Sequence, residues 1–159
     1  MSINVLSREF EKLKDDLILA YDAKGMRASG KFANGLRVET VNTDTGYTAT
    51  LFGDAYAQQL ETGRQAGKFP PIQAIQQWII DKGVFTQVLA TIKLSSLAFL
   101  IARKIKNQGW KREGFGGVNL ISEVVTDERL QMIIDEVGGV EAVRISDEII
   151  KLINELDVA

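Results

Sequence analysis

The sequence predicts an α+β fold: a small antiparallel β-sheet packed against several α-helices, with a long helix at the N-terminus and another at the C-terminus. Three observations predict it. Apolar residues recur at steps of three or four at both ends of the chain and through its middle. Apolar and charged residues alternate from Leu36 to Thr40, as in a half-buried strand. The run Asn42-Thr43-Asp44-Thr45-Gly46 then supplies turn chemistry between two strand-like stretches. At 159 residues the chain fits a single domain over 1–159. Such a chain buries roughly two-thirds of its extended surface, enough for a core without disulfide or metal.

The first helix carries its apolar stripe at Ile3, Leu6, Phe10, Leu13, Leu17 and Ala20, with Gly25 as its stop. The hairpin follows, its second strand at 47–52 rich in Thr and aromatic residues and broken by Gly53 and Asp54. Residues 55–60 fit a strand or a short helical turn equally well. Residues 65–68 read as a loop, and Pro70-Pro71 open a helix, since proline is tolerated in a first turn. Its stripe is Ile72, Ile75, Trp78 and Ile79, and Gly83 ends it. A longer helix runs through Leu94, Leu97, Ile101 and Ile105 to Gly109, with Arg103, Lys104 and Lys106 at the negative end of its dipole.

Residues 110–117 form a basic, Gly-rich loop, and 118–125 read as a β segment. Thr126 or Asp127 caps a helix through Leu130, Ile133, Ile134 and Val137, interrupted by Gly138-Gly139. Residues 139–145 fit helix or extended chain. Ser146 caps a final helix through Ile149, Ile150, Leu152, Ile153 and Leu156. The stripes predict one core of Leu13, Leu17, Leu51, Ile75, Trp78, Ile79, Leu97, Ile101 and Ile105.

Composition removes much chemistry. There is no Cys, hence no disulfide, thiolate nucleophile or cysteine zinc site. There is no His, so the usual base near neutral pH is missing and lone serines have nothing to activate them. A net charge of -2 gives no global field to draw nucleic acid. The first residues lack a signal-peptide pattern, and the apolar stretch 94–102 is far shorter than the ~20 residues of a membrane span. The expectation is a soluble, non-enzymatic protein with no catalytic residue, no cofactor, no metal and no membrane partner.

Two patterns imitate function. Residues 25–31 fit most of a phosphate-binding loop, but Phe32 stands where a hydroxyl must bind magnesium, and a helix precedes where a strand is required. The acidic pairs Asp15-Asp16, Asp127-Glu128, Asp135-Glu136 and Asp147-Glu148 lie on helices with apolar stripes and read as solvated faces. Arg103, Lys104, Lys106, Lys111 and Arg112 form a basic cluster with Trp110 available for stacking. It suits phosphate, an acidic protein face, or a helix end.

The stretch Tyr56-Ala57-Gln58-Gln59-Leu60-Glu61-Thr62-Gly63-Arg64, then Phe69-Pro70-Pro71-Ile72, then Ile75, Trp78 and Lys82-Gly83, resembles the tail-completion, or head-tail joining (neck), family of tailed bacteriophages. Ala98-Phe99 through Arg103 to Ile105, closed by Gly109, matches that family's next helix, and Ser29-Gly30-Lys31 its step after the first helix. The chain departs from the family in a longer spacer at 84–93 and a Gly-rich segment at 113–125. The resemblance implies a virion protein assembled in the bacterial host cytoplasm, a ring-forming subunit at the neck or head-proximal tail end. Its implied partners are copies of itself, the portal, adaptor or head-completion side, and the tail tube or tail terminator, with DNA passing through the ring. Glu61, Gly63, Arg64, Phe69, Trp110, Lys111 and Arg112 are then expected inter-subunit or partner contacts. Arg103, Lys104 and Lys106 are the expected DNA-facing set. The loops 62–69 and 110–117 are expected to stay loose until a neighbour orders them. The alternative is a small nucleic-acid-binding module using 103–112.

Overall fold

A computed structural model of the chain describes residues 2–84, 92–111 and 117–156, the last five as backbone alone. In order the elements are α1 (Ser2–Ala23), α2 (Lys31–Gly35), β1 (Arg37–Thr43), β2 (Gly46–Phe52), α3 (Ala57–Thr62), α4 (Ile72–Asp81), α5 (Leu94–Gln108), α6 (Leu120–Val124) and α7 (Asp127–Leu156). The architecture is the expected α+β: one two-stranded antiparallel sheet among helices, with long helices at both ends. The hairpin pairs Arg37 with Phe52 through to Thr43 with Gly46, so the turn sits where the turn residues predicted it.

The apolar stripe of α1 explains the packing around it. Leu13, Leu17 and Tyr21 are buried, and both strands lie on this helix. Leu17 and Tyr21 join Phe32, Leu60 and Leu120 in the central core, with Leu36, Leu51, Trp110 and Val124 packed against them. The Tyr21 and Phe32 rings stack at 4.3 Å, and Tyr56 tilts toward Phe32 at 6.5 Å.

The other face of α1 takes α7. The Ser2 hydroxyl meets Glu141, Arg8 meets Glu136, and Arg129 lies 3.8 Å from Glu9 and 3.6 Å from Asp16. Those contacts run in opposite directions along the two helices, so they are antiparallel. Ile133 is buried between these contact points.

A separate layer is made by α4 packed on α5. Ile79, Ala98 and Ala102 are its fully buried residues. The small side chains at 98 and 102, one turn apart, allow the second helix to come close.

Several expectations are corrected. The single expected core is two clusters: Ile79 and its alanine neighbours lie outside the group centred on Leu17. Trp78 is 42% exposed and is not a core residue. Ile79 is the fully buried residue of α4, and the exposed Trp78 beside it has less to lose, so its truncation costs less than the ~3–5 kcal/mol of a buried Trp. Residues 120–124 form a helix where a β segment was expected. Glycines 138 and 139 do not break α7, which runs unbroken through them and through Ser146. Glycine costs about 1 kcal/mol relative to Ala in a helix, and the contacts of α7 with α1 outweigh that. Residues 55–60, left open between strand and helix, lead into and largely form the helix α3 (Ala57–Thr62). Most of the long spacer, 85–91, lies outside the described residues. No helix among the described residues is long and apolar enough to cross a membrane.

Candidate interaction surface

The segment from Glu61 to Phe69 joins three elements. Gly63 ends α3 with φ 79°, and its N–H donates to Gln59 O at 2.8 Å. Arg64 and Trp110 then exchange both backbone hydrogen bonds, at 2.8 and 2.6 Å, as a one-pair antiparallel bridge. Gly67 N–H donates to Lys106 O at 2.8 Å, tying the same loop to the end of α5. Glycine is required here for two reasons. Gly63 and Gly109 both have positive φ, which L side chains resist. A Cβ at Gly63 would also sit 2.6 Å from Trp110 O, and one at Gly109 would overlap Arg64 O.

Glu61 works at long range. Its carboxylate accepts from Ile121 N–H at 2.6 Å, from Ser122 N–H at 3.2 Å and from the Ser122 hydroxyl. Its backbone carbonyl accepts from Asn119 N–H at 3.2 Å. The residue at the N-cap position, Asn119, makes no side-chain cap, so Glu61 supplies it from sixty residues away. A carboxylate at a helix N-terminus satisfies orphan N–H groups and opposes the dipole favourably. Arg64 turns the other way and donates from Nη2 to Lys68 O at 3.0 Å. Glu61 and Arg64, expected as inter-subunit or partner contacts, are therefore each engaged inside the chain. Trp110 packs against the central core. The loop at 62–69 and residues 110 and 111 thus have internal partners that sequence alone did not indicate.

The basic residues lie on the neighbouring surface. Phe99, Arg103 and Lys106 follow one another at steps of four and three, which places them on one face of α5. Phe69 stacks on Phe99 at 5.9 Å, and the Lys106 ammonium lies 5.1 Å above the Phe69 ring. A cation over an aromatic face is held by the ring quadrupole while its remaining N–H groups stay free for a partner. Arg103, Lys104, Lys106 and Lys111 are exposed. Arg112 lies outside the described residues.

What sequence reading missed was the extent of the basic region. Between Thr62 and Arg112 there are nine basic side chains and a single carboxylate, Asp81. The structure turns that imbalance into a surface property. Ion pairs among the described residues use Arg8, Lys12, Lys14, Lys24, Arg27, Arg37, Arg129 and Arg144, all outside that stretch. Within it, Lys82 is spent on the carbonyls of Gly25 and of Arg27, the latter at 2.9 Å. The signal was present as a scarcity of Asp and Glu, which a search for clustered Lys and Arg passes over.

Other candidates carry less. The loop at 25–31 connects α1 to α2, so the strand that a phosphate loop needs is replaced by a helix, and its carbonyls point at Lys82. A cavity of about 300 Å³ opens between α1, the hairpin, α6 and α7, lined by apolar side chains such as Leu13, Leu36, Leu51 and Leu120. Among the described residues no group of three or more carboxylates is placed to hold a metal ion.

No family model, curated protein or solved structure matches this chain.

Proposed function

We propose that the chain is a non-enzymatic structural protein of a bacteriophage particle, a ring-forming subunit at the neck or head-proximal tail end. The observation that supports this reading best is the ordered run from Tyr56 to Gly83 that resembles the tail-completion family. Its distinctive positions build shape: Glu61 caps a distant helix, Gly63 makes a turn, and Pro71 starts α4. Partners in this reading are copies of the chain, the portal, adaptor or head-completion side, and the tail tube or its terminator. DNA passes through the ring. Mass spectrometry of purified particles encoding the chain should find it there, and loss of its gene should leave filled heads and tails unjoined. Complete, infectious particles lacking the chain would overturn the reading.

One observation favours a second reading. The α5 face sets unpaired cations beside two exposed aromatic rings, the pairing used to hold single strands or backbone phosphates. A nucleic-acid-binding module would bind short DNA with an affinity that falls steeply with salt and is lost in Arg103→Ala with Lys106→Ala. Binding absent at low salt removes this alternative.

A further inference from the structure

The sheet has two strands, so each keeps one edge that no other strand covers. Among the described residues, no hydrogen bond other than those with β1 reaches the backbone of residues 47–52. Every second residue of β2 therefore turns an unused donor and acceptor outward. Exposed edges are normally blunted by charge, by proline or by a bulge. Residues 46–52 hold no charge and no proline, and every one of them pairs with β1 in regular register. Strand β1, in contrast, carries Arg37 and Glu39.

The apolar cavity of about 300 Å³ lies along the same strand. Leu51 and Phe52 both line it, and successive side chains leave opposite faces of a strand. A cavity that meets both, and meets no residue of β1, reaches round the outer edge of β2. Its other walls include Phe10 and Leu13 of α1, Ile121 of α6 and Leu130 of α7. No lining side chain is polar. Two independent requirements thus meet at one place. The edge takes a backbone in extended form, and the cavity takes apolar side chains without charge.

We propose that the outer edge of β2 and the adjoining cavity receive an extended segment of a partner protein, uncharged and apolar at alternate positions. Such a segment adds a third strand to the sheet, and its inward side chains fill the cavity. This docking is independent of any place in a phage particle. A second copy of the chain fits less well. Its own β2 is seated on α1, with Leu51 packed against the central core. Edge-to-edge pairing would satisfy both backbones and leave both cavities empty. A small apolar molecule would fill the cavity and leave the edge unpaired.

The test uses the full-length chain and a capped peptide of alternating Thr and Val. About nine residues suffice to span the seven of β2. Titration should give saturable binding, and hydrogen exchange at the amides of 47–52 should slow when the peptide is bound. The same peptide with proline at its centre loses a backbone donor and should bind roughly tenfold more weakly or worse. Ala57→Leu places its added carbons in the cavity and should also weaken binding, with circular dichroism reporting that the variant is folded. Should that variant fail to fold, the comparison of the two peptides on the unaltered chain still decides. Equal binding of the two peptides would mean that the cavity works without the edge, and the proposal falls. It falls equally if binding never saturates or if protection appears only outside 47–52. Protection of 47–52 that rises with protein concentration in the absence of peptide would assign the edge to a second copy and overturn it too.

Discussion

At the scale of single residues, polar side chains do structural work at a distance. Glu61 is the clearest instance: it holds the N-terminus of the five-residue helix α6, too short to persist without outside support. Glu61→Ala should therefore cost about 0.5–2 kcal/mol in urea unfolding, the usual range for a lost helix cap. Glu61→Gln keeps an acceptor oxygen and should cost less. A loss indistinguishable from zero would mean that α6 is held by Leu120 alone. Tyr56 makes a second case. Burial pushes its phenol up to about 12, with Tyr21 and Asp54 adding to the effect. Burial raises Tyr21 too. A group whose folded pKa is raised contributes stability that is whole below its ordinary value of 10.0 and is lost as pH rises through about 12. Ultraviolet titration of the tyrosines, read beside circular dichroism, should show the core loosening across that alkaline window. In Tyr56→Phe the loss should shrink.

At the scale of elements, what could be read from sequence was whatever local pattern determines. The stripes of α1, α4 and α5, the hairpin and its turn, and the stops at Gly83 and Gly109 are all local signals, and both glycines do take positive φ. Helix α6 was not legible because its determinant, Glu61, lies sixty residues upstream and local β-branched residues suggested a strand. The continuity of α7 was not legible because Gly138-Gly139 is a stop signal whose cost is met by packing against α1. The candidate surface was half legible. The cations at 103, 104 and 106 stand out in sequence, but the Phe69–Phe99 stack that flanks them joins two elements no pattern connects. The glycines of α7 also give a test. Nothing lies within 4 Å of a Cβ built at Gly138, so Gly138→Ala should stabilise the fold by about 0.5–1 kcal/mol through helix propensity. Thermal unfolding measures it, and a drop in stability would mean that α7 is not continuous there.

At the scale of the molecule, charge and connectivity divide differently. Charge separates an acidic body, built on α1, the hairpin and α7, from the basic α4–α5 layer, even though the net charge is only -2. Near-neutrality thus conceals an uneven distribution of charge, whose reach in solution salt would shorten. Connectivity instead joins the two ends of the chain. The hairpin and the α4–α5 pair form between near neighbours in sequence, but Leu17 of α1 shares its core with Leu120, and α1 is covered by α7. On a ribosome adding ~5–20 residues per second, about a hundred residues separate those partners, so the apolar stripe of α1 waits on the order of 5–20 s for its cover. During that interval the hairpin can cover only part of α1, the nascent chain offers the remainder to chaperones and to other nascent copies, and the last helix made is the one that ends the exposure.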